Sequence, residues 1–293
     1  MGYKLSYWIE ASRPKTLPAS VSPVLLGCAL AWREGMFRPA AALLCLLVAL
    51  LSQVASNFAN DYFDFKKGAD TEERLGPERA VATGRISPRK MLAATFITLA
   101  AACSCGLGLL FFAGWELIFV GIAVALCVLA YSAGPFPLAY NGVGDVCVLL
   151  FYGIVPVCFT YYVQTLHFGL LPFRLSIAVG LLSANILVVN NYRDCEQDRK
   201  ASKRTTIVLF GRTFGRYFYL CNGIAAMLVA LPLILRSGWW ITALYAGYAM
   251  LYFSTWRELC RCEGRALNNT LARTARNVLL FTLLLILQLI VES

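Results

Sequence analysis

Apolar runs of close to twenty residues, divided by short polar stretches, dominate this chain. Nine runs stand out, at roughly 17–32, 40–60, 91–112, 115–132, 145–163, 171–190, 217–235, 239–256 and 276–291. About 20 residues of helix cross a ~30 Å hydrocarbon core, so most runs are long enough and the first and last are short. Inside lipid the backbone must satisfy its own hydrogen bonds, which makes these runs helices. The pattern predicts an all-α, polytopic membrane protein with nine transmembrane helices in one bundle, a single domain over 1–293. Two connections are long, at about 65–90 and 199–216, and both are basic and rich in turn formers. Each follows the same order of parts: an apolar helix, an Asn, acids, then a basic loop. Asn60 lies four residues before Asp64, and Asn190 four before Asp194. That recurrence suggests two related halves, about 1–140 and 141–293.

Composition supports the membrane reading, because 59% of the residues are hydrophobic and 14% charged, against about 25% charged in soluble domains. The net charge of +10 invites a nucleic-acid partner, and its distribution argues against one. Under the nine-span topology, 22 of the 26 Lys and Arg fall on one face; only Arg33, Arg38, Arg174 and Arg236 fall on the other. The positive-inside rule makes the basic face cytoplasmic, with the N-terminus inside and the C-terminus outside. The first sixteen residues contain Lys4, Glu10, Arg13 and Lys15 and have no secretory apolar core. Leu5, Tyr7, Trp8 and Ile9 are expected at the membrane interface. Most of the eleven cysteines lie within spans, and C-x-C at Cys103/Cys105 and Cys260/Cys262 matches neither a zinc ribbon nor a thioredoxin motif. His167 is the only histidine and is expected on the outer face, so a His-based triad or metal site is excluded.

The chemistry concentrates in two acidic segments. The first, N-F-A-N-D-Y-F-D-F-K-K-G-A-D, carries Asn57, Asn60, Asp61, Asp64 and Asp70. As a helix it places Asn57, Asp61 and Asp64 on one face, with Gly68 as the expected breaker. The second, N-N-Y-R-D-C-E-Q-D, carries Asn190, Arg193, Asp194 and Asp198, again at helical spacing. Carboxylates this close repel unless a cation lies between them. Both clusters fall on the cytoplasmic face. Converging at one mouth, they suit two Mg²⁺ ions that bind a diphosphate leaving group. The same loops hold Lys66, Lys67, Arg74, Arg79, Lys203 and Arg204. Positive-inside topology accounts for most of these cations. Arg193 and the Lys203–Arg204 pair lie nearest the acids and are the candidates to grip diphosphate oxygens, with Arg74 a further one. Arg13 and Lys15 are candidates for an acceptor carboxylate or for the diphosphate. Asp145 opens a span and fits either a helix cap or an acceptor contact; Tyr140 and Asn141, just before it, are lesser candidates.

The paired motifs resemble the UbiA superfamily of intramembrane prenyltransferases. N-D-x-x-D is Asn60, Asp61 and Asp64, and D-x-x-x-D is Asp194 to Asp198. The third acid of the first motif departs, with Asp70 displaced by two positions. Within that superfamily, Arg13 to Gly27, N-D-Y-F-D-F-K-K-G-A-D, the G-V-G-D ending at Asp145 and N-N-Y-R-D are similar to the branch that prenylates 1,4-dihydroxy-2-naphthoate in menaquinone biosynthesis. The Lys-Arg pair usual in benzoate-type members is absent after Tyr131, and Ser202-Lys203-Arg204 stands where the branch often has Gly-Lys. The resemblance implies an enzyme of the bacterial inner membrane with a cytoplasmic-facing cavity. It implies Mg²⁺ on Asp61, Asp64, Asp194 and Asp198, a polyprenyl diphosphate donor and an aromatic acid acceptor that loses CO₂. It implies Asn57 or Tyr131 beside the allylic cation, and a tail lying between helices or in membrane lipid. The rival readings are a different aromatic acceptor, such as 4-hydroxybenzoate or homogentisate, and an ion-coupled membrane transporter. A transporter predicts acids near the bilayer midplane, and spans 91–132 and 217–256 offer only Glu116 at an edge. A lipid phosphotransferase would need D-G-x-x-A-R, which is missing.

Overall fold

The computed structural model describes residues 5–69 and 74–291. Among these residues the regular structure is entirely helical. A short helix, α1 (Leu5–Ser12), precedes α2 (Pro18–Arg33), α3 (Pro39–Lys66), α4 (Pro88–Gly108) and α5 (Leu117–Ala130). Then follow α6 (Gly144–Leu149), a π turn at Leu150–Ile154, α7 (Val155–Thr165) and α8 (Leu170–Lys200). The chain closes with α9 (Thr206–Ile234), α10 (Trp239–Arg261) and α11 (Leu267–Val291). Proline stands in the first turn of α2, α3 and α4, where its missing N–H has no helical partner to lose. Thr205 caps α9 by accepting from the Val208 N–H at 3.3 Å. Gly68, at φ 68°, turns the chain out of α3 at the predicted breaker.

Six stretches are long and apolar enough to cross a membrane: α3, α4 with its 3-10 extension, α6 through α7, α8, α9 and α11. The remaining expected spans correspond to α2, α5 and α10, of 16, 14 and 23 residues, which do not meet that criterion. Two acid-bearing helices continue beyond the apolar runs, α3 to Lys66 and α8 to Lys200, so both clusters ride on continuous helix as their spacing predicts. The last helix begins at Leu267 rather than 276, because its polar first turns are helical too. The fifth expected span is not a uniform α-helix. At its π turn Gly153 meets Gly180 of α8, where a Cβ on Gly153 would lie 2.5 Å from the Gly180 Cα. Two glycines let these backbones touch.

α8 is the axis of the bundle: 72% of its apolar window is buried, against 22% for α3 and for α4. Its most extensive partner is α9, as α4 is for α3. Asn185 of α8 donates to Tyr252 Oη at 2.8 Å and accepts from Asn222 at 3.0 Å, pinning α8, α9 and α10 together. On α1, Tyr7 and Trp8 pack against a cluster with Phe58, Val81, Ile86 and Met91, while Leu5 and Ile9 stay exposed. This is the amphipathic arrangement expected of an interfacial segment.

Candidate active site

The ends of α3 and α8 open onto one cavity of about 530 Å³. Asn57, Asn60, Asp64, Asn190, Asp194 and Asp198 all line it. Beyond this polar mouth the cavity continues between α3, α4, α5 and α7 along an apolar wall that includes Leu99, Leu110, Ile118, Ile122, Val128 and Phe159.

At the α3 tip, Asp64 is almost fully buried. Its Oδ2 accepts from Arg79 at 3.3 Å and Lys203 at 3.2 Å, and its Oδ1 from Tyr140 Oη at 2.8 Å. Lys203 lies 3.9 Å from Asp198 Oδ1, so a single ammonium bridges acids from the two motifs. The Lys67 and Lys203 ammonium groups sit over the Tyr140 ring at 4.3 and 4.6 Å from its centroid. Burial pushes Lys67 below the ordinary lysine range, opposed by Asp64 and reinforced by Lys203. Lys67 also donates to the Ser132 carbonyl at 2.8 Å, and the Ser132 hydroxyl donates to Asn60.

Asp61 is placed differently from the expectation. Its two oxygens accept backbone N–H groups of Ala80 and Val81, each at 3.1 Å, and it is absent from the cavity lining. As arranged, it orders the loop after α3 instead of facing the cavity. Asn57 donates to the Ser12 carbonyl at 2.9 Å, where the chain leaves α1. The next residue, Arg13, takes φ 55°, an uncommon left-handed conformation, and lines the cavity.

At the α8 tip, Arg193 is 2% exposed and binds protein on all sides. Its Nε and Nη2 fork onto Asp194 at 2.7 Å each, Nη1 reaches Asn268 at 2.7 Å and Nη2 reaches Asn190 at 3.1 Å. Gly76 packs so close that a Cβ there would lie 2.6 Å from Nη2. Arg193 nonetheless lines the cavity, with its bidentate fork turned onto Asp194. Two candidates do not reach the cavity. Lys15 and Arg204 are exposed and absent from its lining. Ser202, at φ 58°, and the Arg204 N–H donating to the Tyr140 carbonyl at 2.9 Å turn Lys203 inward and leave Arg204 outside. Arg74, Tyr131 and Asp145 line the cavity as expected. Asp70 lies outside the described residues.

Sequence reasoning ranks Arg79 and Tyr140 too low and passes over Ser132, Thr206 and Asn268. Arg79 was hidden among loop cations attributed to topology. Tyr140 had one signal, its place just before Asp145. The other three are ordinary polar residues whose roles come from partners far away in sequence.

As a donor set, the mouth offers hard carboxylate and amide oxygens under nearby cations. No three His, Cys, Asp or Glu among the described residues form a ready metal cage. That pattern fits a hard cation such as Mg²⁺, which is held by one or two carboxylates together with substrate phosphates.

Residues 20–287 match the model of the UbiA prenyltransferase family. A 1,4-dihydroxy-2-naphthoate octaprenyltransferase of Escherichia coli is 36% identical, over 96% of this chain and 94% of that protein. One from Mycobacterium tuberculosis is 35% identical over 82% of each chain. The fold is shared with a UbiA homolog from Archaeoglobus fulgidus solved bound to DMAPP and Mg²⁺, with a TM-score of 0.68 at 17% identity, covering 97% of this chain and 99% of that one.

Proposed function

The chain belongs to the UbiA prenyltransferase family, and we propose on that footing that it transfers a polyprenyl group from polyprenyl diphosphate to 1,4-dihydroxy-2-naphthoate. CO₂ leaves and demethylmenaquinol forms. The single observation that carries this reading is the meeting of Asp64, Asp194 and Asp198 at the mouth of one cavity with a long apolar wall.

Asp64, Asp194 and Asp198, with the amide oxygens of Asn60 and Asn190, are the residues that would hold Mg²⁺, and two ions is the number we favour. Bound Mg²⁺ supplies charge neutralisation to the departing diphosphate. Lys203, Arg79 and Arg74 add fixed positive charge at the same mouth, strengthened by the low-dielectric surroundings. Arg13 lies on the cavity wall where it can pair with the acceptor carboxylate. The ring of Tyr131 and the amide dipole of Asn57 favour positive charge on the prenyl carbon as the carbon–oxygen bond breaks. The apolar wall takes up the isoprenoid chain and keeps water from the cation. The far end of the tail lies between helices or runs out into lipid.

We place the acidic mouth on the cytoplasmic side of the bacterial inner membrane, with the N-terminus inside and the C-terminus outside. In this topology α2, α5 and α10 cross along with the six longer spans, for nine in all. The α3 and α8 tips are then corresponding parts of two halves.

Purified protein in liposomes, given Mg²⁺, dihydroxynaphthoate and a polyprenyl diphosphate, is expected to release CO₂ and yield the prenylated naphthoquinol. EDTA is expected to stop turnover and added Mg²⁺ to restore it. A panel with 4-hydroxybenzoate and homogentisate tests the acceptor: equal or better turnover of either one overturns the naphthoate assignment.

A further inference from the structure

Asp145 is the one acid lining the cavity, among the described residues, that belongs to neither acidic motif. It is 8% exposed and sits in the first turn of α6. Acids are common in that position because they satisfy free helix N–H groups. Asp145 meets its own backbone N–H and also reaches across to another helix. Its Oδ2 accepts from the Thr206 hydroxyl of α9 at 2.8 Å. Its Oδ1 is buried and accepts from no other residue; the carboxylate's one further contact is its own backbone N–H. A buried carboxylate oxygen short of donors is costly, and beside a cavity it is open to a donor that a ligand brings.

The surroundings restrict what that donor can be. Tyr131, Tyr152 and Cys147 line the same stretch of cavity wall, so the space is bounded by aromatic rings suited to a flat aromatic molecule. Gly144 keeps the wall close: a Cβ there would lie 3.1 Å from Leu187 Cδ2 and 3.4 Å from Tyr131 Oη. Diphosphate brings only acceptor oxygens and negative charge, and would be repelled. The complementary group is a neutral O–H on an aromatic ring.

We propose that Asp145 Oδ1 receives the hydrogen bond, and then the proton, of a ring hydroxyl on the aromatic acceptor, while Thr206 fixes the carboxylate through Oδ2. This deepens the prenyl-transfer reading and rests on it. The ring O–H bond breaks and its proton moves to Oδ1, raising electron density in the ring. The ring carbon bonds to the first prenyl carbon as that carbon's bond to the diphosphate oxygen breaks. CO₂ departs and leaves its bonding pair in the ring, and the ring oxygen recovers its proton from Oδ1. No proton is gained or lost overall. Asp145 is thus a catalytic residue, and Thr206 a positioning residue that acts through it.

The test uses the full chain in liposomes with Mg²⁺, polyprenyl diphosphate, dihydroxynaphthoate and its two monomethyl ethers. The unmodified protein is expected to favour the free hydroxyl over one of the ethers by about 10²-fold in kcat/KM. Asp145→Asn is expected to lower kcat with dihydroxynaphthoate by about 10²-fold and to bring that hydroxyl-to-ether ratio close to one, with binding of radiolabelled polyprenyl diphosphate unchanged. Thr206→Val is expected to shift the ratio in the same direction by a smaller factor. A purely structural role would lower both acceptors equally and leave the ratio intact. The inference is overturned if the ratio survives in both variants, or if both ethers match the parent acid in the unmodified protein. If the protein prenylates a different hydroxylated aromatic acid, the naphthoate reading fails, and the same ratio measured with that acid's methyl ether decides the role of Asp145.

Discussion

At the tip of α3, Asp61 holds a neighbouring loop through two backbone N–H groups; at the tip of α8, Asp194 is held by an arginine that also reaches Asn190 and Asn268. Both tips leave a second acid, Asp64 or Asp198, at the cavity mouth, and both of these approach Lys203. The difference teaches how a helix end can carry concentrated negative charge. At Asp61 the charge is dispersed over main-chain dipoles, and at Asp194 a buried guanidinium neutralises it. At the first tip one acid holds a loop and the other lines the cavity; at the second both line it, one of them paired with arginine.

The comparison breaks most sharply at the mouth acids. Asp64→Ala and Asp198→Ala are each expected to cut kcat by on the order of 10²–10³-fold, with the protein remaining folded by thermal melting. Near-normal turnover in either would show that the second acid of that motif is dispensable. Arg193→Lys is expected to destabilise the fold by about 3 kcal/mol, because an ammonium cannot span Asp194, Asn190 and Asn268. An unchanged melting temperature would contradict the keystone role. Asp61→Asn is expected to cost about 1–2 kcal/mol through its weakened loop contacts, and to reduce activity less than Asp64→Ala does. A fully inactive Asp61→Asn with a normal melting temperature would make Asp61 a ligand after all. Lys203→Met is expected to raise the KM for polyprenyl diphosphate by about tenfold, the loss of one charge-assisted contact. At the low end, Arg204→Ala is expected to leave kcat and KM within about twofold, as for other exposed cations.

The resemblance of both motifs to one family was readable before any coordinates from the motif residues themselves, and short helical spacing separately showed which of them share a face. Gly68 as the end of α3 was equally readable. The reach of α11 back to Leu267 was not: Asn268 and Arg273 look like loop residues until they are seen meeting Arg193 and Glu258. Nor could sequence distinguish Lys203 from Arg204, since a left-handed Ser202 and one backbone hydrogen bond decide which side chain turns inward. Asp61 and Asp64 look interchangeable in the motif. They part because Ala80 and Val81 return to one of them from about twenty residues away.

By itself, the chain's pattern of apolar runs and basic loops determined helical membrane architecture, the location of its acids and the kind of cation and leaving group they suit. Those properties depend on local periodicity and on the cost of placing charge near hydrocarbon. Tertiary structure alone decided which acid of the first motif faces the cavity, which cation bridges the motifs and which acid outside them borders the same space. Such choices are made by contacts between residues distant in sequence, and no local pattern encodes them.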